Sequence, residues 1–417
     1  MIEKKKLFLP YKILLVIYLF FIVTAFIVNS PHEIFIGLKN IILTPDILIT
    51  DYIEIGGIGA TLINAALTSI ISIFILVIVG IKPNGSTIMA LWLMTGFSFF
   101  GKNIFNIWPV MFGVYLFSRY QKQPLLNYSL VMLLSTTLAP TVSQLSFVSD
   151  NLFLGLFLGS LIGIIIGFIL TPIATHCISC HAGYNLYNIG FACGLLATIL
   201  MSIFRALGVD FKTQLIWNTD HNKFFLIFIL IICVYLICVG IYFGKDTKNN
   251  LNKIKKQSGK LVSDFYLLFG NTAYINMGIL GIFSTLYLLL IGGNINGPTI
   301  GGIFTIIGFG CFGKHLKNII PIMLGATIAA IFSVYKLSDP GVLLAILFGT
   351  CLAPISGKFG WKIGIIAGML HVTLVTNVGY LHGGLNLYNN GLAGGFVSMI
   401  LIPTITTFKK EVRTDEI

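Results

Sequence analysis

Two copies of one polar pattern carry most of the chemistry this chain can offer. His181-Ala-Gly-Tyr-Asn-Leu-Tyr-Asn is repeated as His382-Gly-Gly-Leu-Asn-Leu-Tyr-Asn, each at the head of an apolar stretch. Asn185, Tyr187 and Asn188, with Asn386, Tyr388 and Asn389, thus bring amide and phenol groups to membrane depth, beside His181 and His382. Unpaired polar groups in such surroundings cost about 2–7 kcal/mol. Two readings stand: they cap the helix start and bond across the repeat interface, or they line a polar path for a solute. Small residues next to them, Gly190, Ala192 and Gly194 in one copy, permit close helix contact.

The second candidate is cationic. Gly101-Lys102 and Gly313-Lys314 sit between apolar runs that give neither ammonium an easy route to water. An ionisable residue so placed is a functional candidate, suited to an anionic solute or lipid head group; the alternative is an ordinary turn near the interface. Asn106 and Pro109, with Asn318 and Pro321, follow at matching spacing and point to a broken or kinked helix. The third is Leu-Ala-Pro, ending at Pro140 and Pro354 and flanked by Thr136, Thr137, Thr141, Thr350 and Ser356. A proline frees a carbonyl that hydroxyls can satisfy, in a discontinuous carrier-type helix or in a simple kink.

Asp51, Glu54, Asp150 and Asp339 fall at the ends of apolar segments, and the lack of a carboxylate within a span argues against a proton or sodium pump. His176-Cys-Ile-Ser-Cys-His181 matches a haem-attachment pattern and offers zinc-type ligands. Its twin, Gly379-Tyr-Leu-His382, has no cysteine, so the histidine belongs to the repeat and the cysteines do not. No phosphate loop, nucleophile elbow or HExxH is present. The expectation is a protein that is no enzyme, with no cofactor and no metal.

These groups must be positioned by helices in a bilayer. The 417 residues are 56% hydrophobic and 10% charged, whereas soluble domains carry roughly 25% charged residues. Apolar runs recur at about the 20 residues a bilayer requires, and lipid leaves helices as the economical backbone. The net charge of +12 reflects basic residues at helix ends and in one loop, not nucleic-acid binding. The run after Lys4, Lys5 and Lys6 is long and lacks a small-residue cleavage pattern, so it reads as a retained first helix.

The chain is internally duplicated. Asn84–Gly113 and Asn296–Gly325 agree at 14 of 30 positions at an offset of 212. Thr136–Pro140 and Thr350–Pro354 follow at 214, and His181–Gly194 and His382–Gly395 agree at 9 of 14 at 201. The predicted division is an N-terminal helix and interfacial segment (1–50), membrane repeat 1 (51–206), an extra helix and basic cytoplasmic loop (207–267), membrane repeat 2 (268–406) and a cytoplasmic tail (407–417). The fold class is an all-α integral membrane protein of about 12–14 segments, with 84–118 and 296–335 either spanning or re-entrant. Lysines before the first helix, in the loop from Lys245 to Lys260, and Lys409, Lys410 and Arg413 at the end place both termini in the cytoplasm, in the cell's inner membrane. The single helix near 223–243 then inverts the second repeat relative to the first, the architecture of transporters and some channels.

Through its Asn-Leu-Tyr-Asn and Asn-Gly-x-Thr…Gly-Lys blocks the chain resembles a bacterial family of duplicated membrane proteins known only as a domain of unknown function. A weaker similarity is to urea transporters, whose inverted halves each carry a Phe-Asn-Gly stretch comparable in kind to Tyr187-Asn188 and Tyr388-Asn389. Their Leu-Pro-x-x-Thr-x-Pro-Phe signature is echoed here only by Leu-Ala-Pro-Thr. The leading expectation is a transporter or channel for a small polar or anionic solute, with the path between the repeats. Its partners are that solute and the lipid bilayer, with a homo-oligomer left open. The alternative is a non-transporting membrane subunit or lipid-binding scaffold.

Overall fold

A computed structural model describes residues 8–147, 151–211, 214–261, 263–387 and 389–414. Lys4, Lys5, Lys6, Asp150 and Tyr388 lie outside the described residues, as do the side chains of Lys409, Lys410 and Arg413. The chain is a multi-pass helical membrane protein: among the described residues, ten helices are long and apolar enough to cross a bilayer.

The elements run α1 Leu9–Val28, α2 Pro31–Leu43, β1 Leu48–Thr50, α3 Tyr52–Ile78, α4 Gly85–Phe97, α5 Ile107–Tyr120, α6 Ser129–Ser135, α7 Ala139–Phe147, α8 Leu152–Cys180, α9 Asn188–Ala206, β2 Gln214–Ile216 and α10 Asn222–Phe243. They continue α11 Thr247–Ile254, α12 Phe265–Phe269, α13 Thr272–Leu290, α14 Gly297–Phe309, α15 Leu316–Ile331, α16 Pro340–Phe348, α17 Ala353–Phe359, α18 Trp361–Val378 and α19 Asn389–Thr414. Strands β1 and β2 pair in parallel. Around both Leu-Ala-Pro sequences the helix is broken, by 3-10 turns at Thr136–Leu138 and Gly349–Leu352, with Pro140 and Pro354 in the first turn of the helix that follows.

The centre is formed by α4 and α14, 13 residues each, or about 20 Å. Each opens on an asparagine capping box, Asn84 with Thr87 and Asn296 with Thr299. Every residue of α14 is buried, and every residue of α4 except Ser86. They run antiparallel: Gly85 lies against the Cys311 carbonyl, Gly297 against the Phe99 carbonyl, and Gly96 meets Gly301 between them.

The caps are exchanged. The Asp264 carboxylate accepts the Gly85 N–H at 2.8 and 3.0 Å, and Asp51 accepts the Gly297 N–H at 3.2 Å. Asp51 and Asp264 occupy matching positions of the two units, so each contact is returned by its twin, as across a twofold axis. A carboxylate at a helix start is favoured by the exposed N–H groups and the macrodipole. D51A and D264A are each expected to lower detergent-phase thermal stability by about 0.5–2 kcal/mol. A neutral result for both would remove the exchanged caps from the account of how the units adhere.

The peripheral helices pack backbone to backbone. Gly325 of α15 lies on the Ile365 carbonyl of α18 and Gly368 of α18 on the Ile322 carbonyl of α15; Gly113 on Ile164 and Gly167 on Val110 repeat this between α5 and α8.

Candidate functional site

The two lysines follow the short central helices through the same turn. Gly101 and Gly313 take positive φ, 80° and 110°, which glycine adopts without a Cβ penalty. The N–H groups of Lys102 and Lys314 then close onto the carbonyls of Phe97 and Phe309 at 3.0 and 2.9 Å. Asn106 and Asn318 brace the turns by bonding the Gly101 and Gly313 carbonyls. Asn64 donates to the carbonyls of Ser98 and Lys102 at 2.8 and 2.9 Å, and Asn276 to those of Gly310 and Lys314 at 2.7 and 2.8 Å. Helix carbonyls that would be orphaned in lipid are thereby satisfied.

Both lysines are fully buried. Lys314 Nζ donates to Tyr187 Oη at 2.7 Å and Thr350 Oγ1 at 2.8 Å, and lies over the rings of Tyr187 and Phe309. Lys102 reaches the Met94 sulfur at 3.7 Å and lies 5.1 Å from the centre of the Phe97 ring. Neither lysine meets a carboxylate; the ion pair formed among the described residues is Arg205–Asp210, elsewhere. A row of contacting rings links the two lysines. Phe97 contacts Phe348 at 5.6 Å, Phe348 contacts Tyr187 at 6.4 Å, and Tyr187 contacts Phe309 at 5.2 Å between centroids. Both units contribute to it.

The other sequence candidates distribute around this core. Thr350 joins it directly. Thr137 is buried nearby, its carbonyl accepting the Leu387 N–H, while the threonine that matches Thr350 is Thr136, which bonds the same Met94 sulfur as Lys102. Asn185 ties the units together through the Gly391 carbonyl at 3.0 Å, and the Leu186 N–H bonds the Cys351 carbonyl. Asn386 is fully buried in the matching loop. Asn188 and Asn389 tie their loops to the preceding helix: the Oδ1 of each accepts from the Nε2–H of its histidine, His181 at 2.9 Å and His382 at 3.0 Å, and its Nδ2 donates to the carbonyl of Ala174 or Val375. His181 is therefore held by an amide, and among the described residues no three His, Cys, Asp or Glu side chains converge. A cavity of about 190 Å³, largely apolar, reaches the core from one side and is lined by Leu134, Leu186, Tyr187, Asn188, Gly190 and Phe309 among others.

Sequence reasoning passed over Asn64, Asn276, Phe97, Phe348 and Asp46. The asparagines were signalled by a repeated Ile-Asn, Ile63-Asn64 and Ile275-Asn276, at the same offset of 212. The phenylalanines carry no signal in a chain with 34 of them. The carboxylates do fall at segment ends, Asp51 and Asp339 each at the start of a helix, but a segment end is not thereby exposed: Asp46 and Asp51 are fully buried.

Residues 30–206 and 244–407 match a family model described as "Protein of unknown function (DUF1576)". No curated protein and no solved structure matches the chain.

Proposed function

The chain belongs to the DUF1576 family, whose description names no activity, and from its site we propose that it carries a small anionic solute between two inverted units. The observation that supports this reading is the pair of fully buried lysines without an acidic partner among the described residues. A buried ammonium is costly unless compensated, and hydroxyl, sulfur and ring contacts compensate it only partly. An anion would complete such a site, and the two lysines offer it two stations joined by a row of aromatic rings.

Inversion rests on the ends of the central helices. Unit 1 begins at Asp51, beside Gly297; unit 2 begins at Asp264, beside Gly85. Since α4 and α14 are antiparallel, those two points lie at opposite ends of the core. With α4 and α14 lying within the bilayer along its normal, the two units would enter from opposite faces. The test is side-specific labelling of E33C and K253C in a background without Cys180 and Cys238. Labelling from opposite faces is expected; labelling from one face overturns the inverted arrangement. Uptake into proteoliposomes across a panel of neutral and anionic metabolites tests the transport reading, with anions favoured.

A second reading, a lipid-binding membrane subunit, is favoured by the apolar wall of the cavity at Tyr187. It predicts no uptake of any solute and co-purification of lipid.

A further inference from the structure

Asp46 lies in the link between α2 and β1 and is fully buried. Its Oδ2 gathers donors from three separate elements. Tyr52 of α3 donates at 2.8 Å, Ser143 of α7 at 3.0 Å, and Asn106 of the Lys102 turn at 3.0 Å, with Asn103 farther off at 3.5 Å. Its other oxygen, Oδ1, is buried without a hydrogen-bond partner. Among the described residues no cation pairs with the carboxyl: the neighbouring Lys102 amine is turned to Met94 and Phe97. Tyr52 is the titratable side chain that touches it; Asn103, Asn106 and Ser143, from the other elements packed on it, do not titrate, and Asp51 is engaged with backbone N–H groups.

The second unit shows that the fold does not require this carboxyl. There Gly259 stands where Asp46 stands in the first, packed against the Gly313 carbonyl and the Asn318 amide. Asn318 braces the Lys314 turn as Asn106 braces the Lys102 turn, with no acid present. A costly buried carboxyl, found in one unit and dispensable to the same turn in the other, calls for a role other than shaping the turn.

We propose that Asp46 is a proton-binding site, protonated on Oδ1 in this conformation, and that its proton is linked to the position of the Lys102 turn. The step is Asp46–COOH releasing one proton to become Asp46–COO⁻. Ionisation places a charge where no cation pairs with it among the described residues, so the favourable response is movement of the Asn103–Asn106 segment, which would admit water or bring the adjacent Lys102 closer. Coupling of solute movement to that proton rests on the transport reading; occupancy of the site by a proton does not.

Burial pushes the Asp46 carboxyl up to about 7. The sign follows: the folded state holds the proton more tightly than the unfolded chain, whose aspartate titrates near about 3.9. Stability therefore falls as pH rises between those values. The test is pH-titrated infrared difference spectroscopy of the purified protein in lipid nanodiscs. The expected result is the carbonyl band of a buried protonated carboxylic acid that titrates away around about 7, is absent in D46N and is shifted in Y52F, which keeps the acid but loses a donor. K102M and K314M should retain the band even if they transport nothing, so failure of transport and failure of the proton site are distinguishable. A wild-type spectrum without the band, a band that persists in D46N, or stabilisation by sodium ion in place of acid would each overturn the proposal.

Discussion

Replacing Lys314 with methionine is expected to abolish uptake of an anionic solute while leaving a folded, monodisperse protein. Losing one partner of a buried charge pair costs about 2–5 kcal/mol, and each 1.4 kcal/mol is about tenfold in affinity, so solute affinity should fall at least about 30-fold. Stability should move the other way or little, because a buried charge replaced by an apolar chain of similar volume is often neutral or favourable. The same substitution at Lys102 is expected to be the more stabilising of the two. Lys102 gives up only a sulfur and a ring contact, whereas Lys314 gives up two hydroxyl bonds. Concentration-dependent uptake and thermal unfolding in detergent read the two effects separately. Wild-type uptake in both variants would remove the lysines from the pathway. Collapse of both proteins would assign them to the fold instead.

The lysines were legible in the sequence because a Gly-Lys pair recurs at one offset between runs of apolar residues, and no soluble explanation suits it. The broken helices were legible for a similar reason: a proline following Thr-x-Leu-Ala, twice, in apolar surroundings. What surrounds the lysines was not. Tyr187 and Thr350 come to Lys314 from two other elements, Phe97 and Phe348 from opposite units, and no spacing rule connects residues so far apart. The Asn-Leu-Tyr-Asn block divides accordingly. Tyr187 reaches the core, while Asn185 stitches the units and Asn188 closes its loop. Asp46 escaped notice because a short polar link before a helix reads as exposed, and only the tertiary fold brings Tyr52, Ser143 and the Asn103–Asn106 turn onto it.

Valine at Gly325 or Gly113 is expected to prevent accumulation of folded protein. A Cβ at either position would overlap a backbone carbonyl of the facing helix, Ile365 or Ile164. A backbone cannot rotate aside as a side chain can. Overpacking a core typically costs about 1–3 kcal/mol and sometimes more; here the partner glycine on the opposite helix loses its contact as well. Helix association in lipid depends on such close approach. Fluorescence-detected size-exclusion chromatography should show aggregate or nothing. Gly341, with open space around it, supplies the control: G341V should stay within about 0.5 kcal/mol of the parent. A well-behaved G325V protein would mean that the α15–α18 seam yields more than the glycine contacts imply.

The exchanged aspartates constrain how such a protein can work. Asp51 and Asp264 stand at the starts of α3 and α12, so each short central helix is tied at its first residue to the opening segment of the other unit, and moving one unit against the other would release both ties together. Under the carrier reading proposed above, the elements that would alternate are the glycine-packed outer pairs, α5 with α8 and α15 with α18.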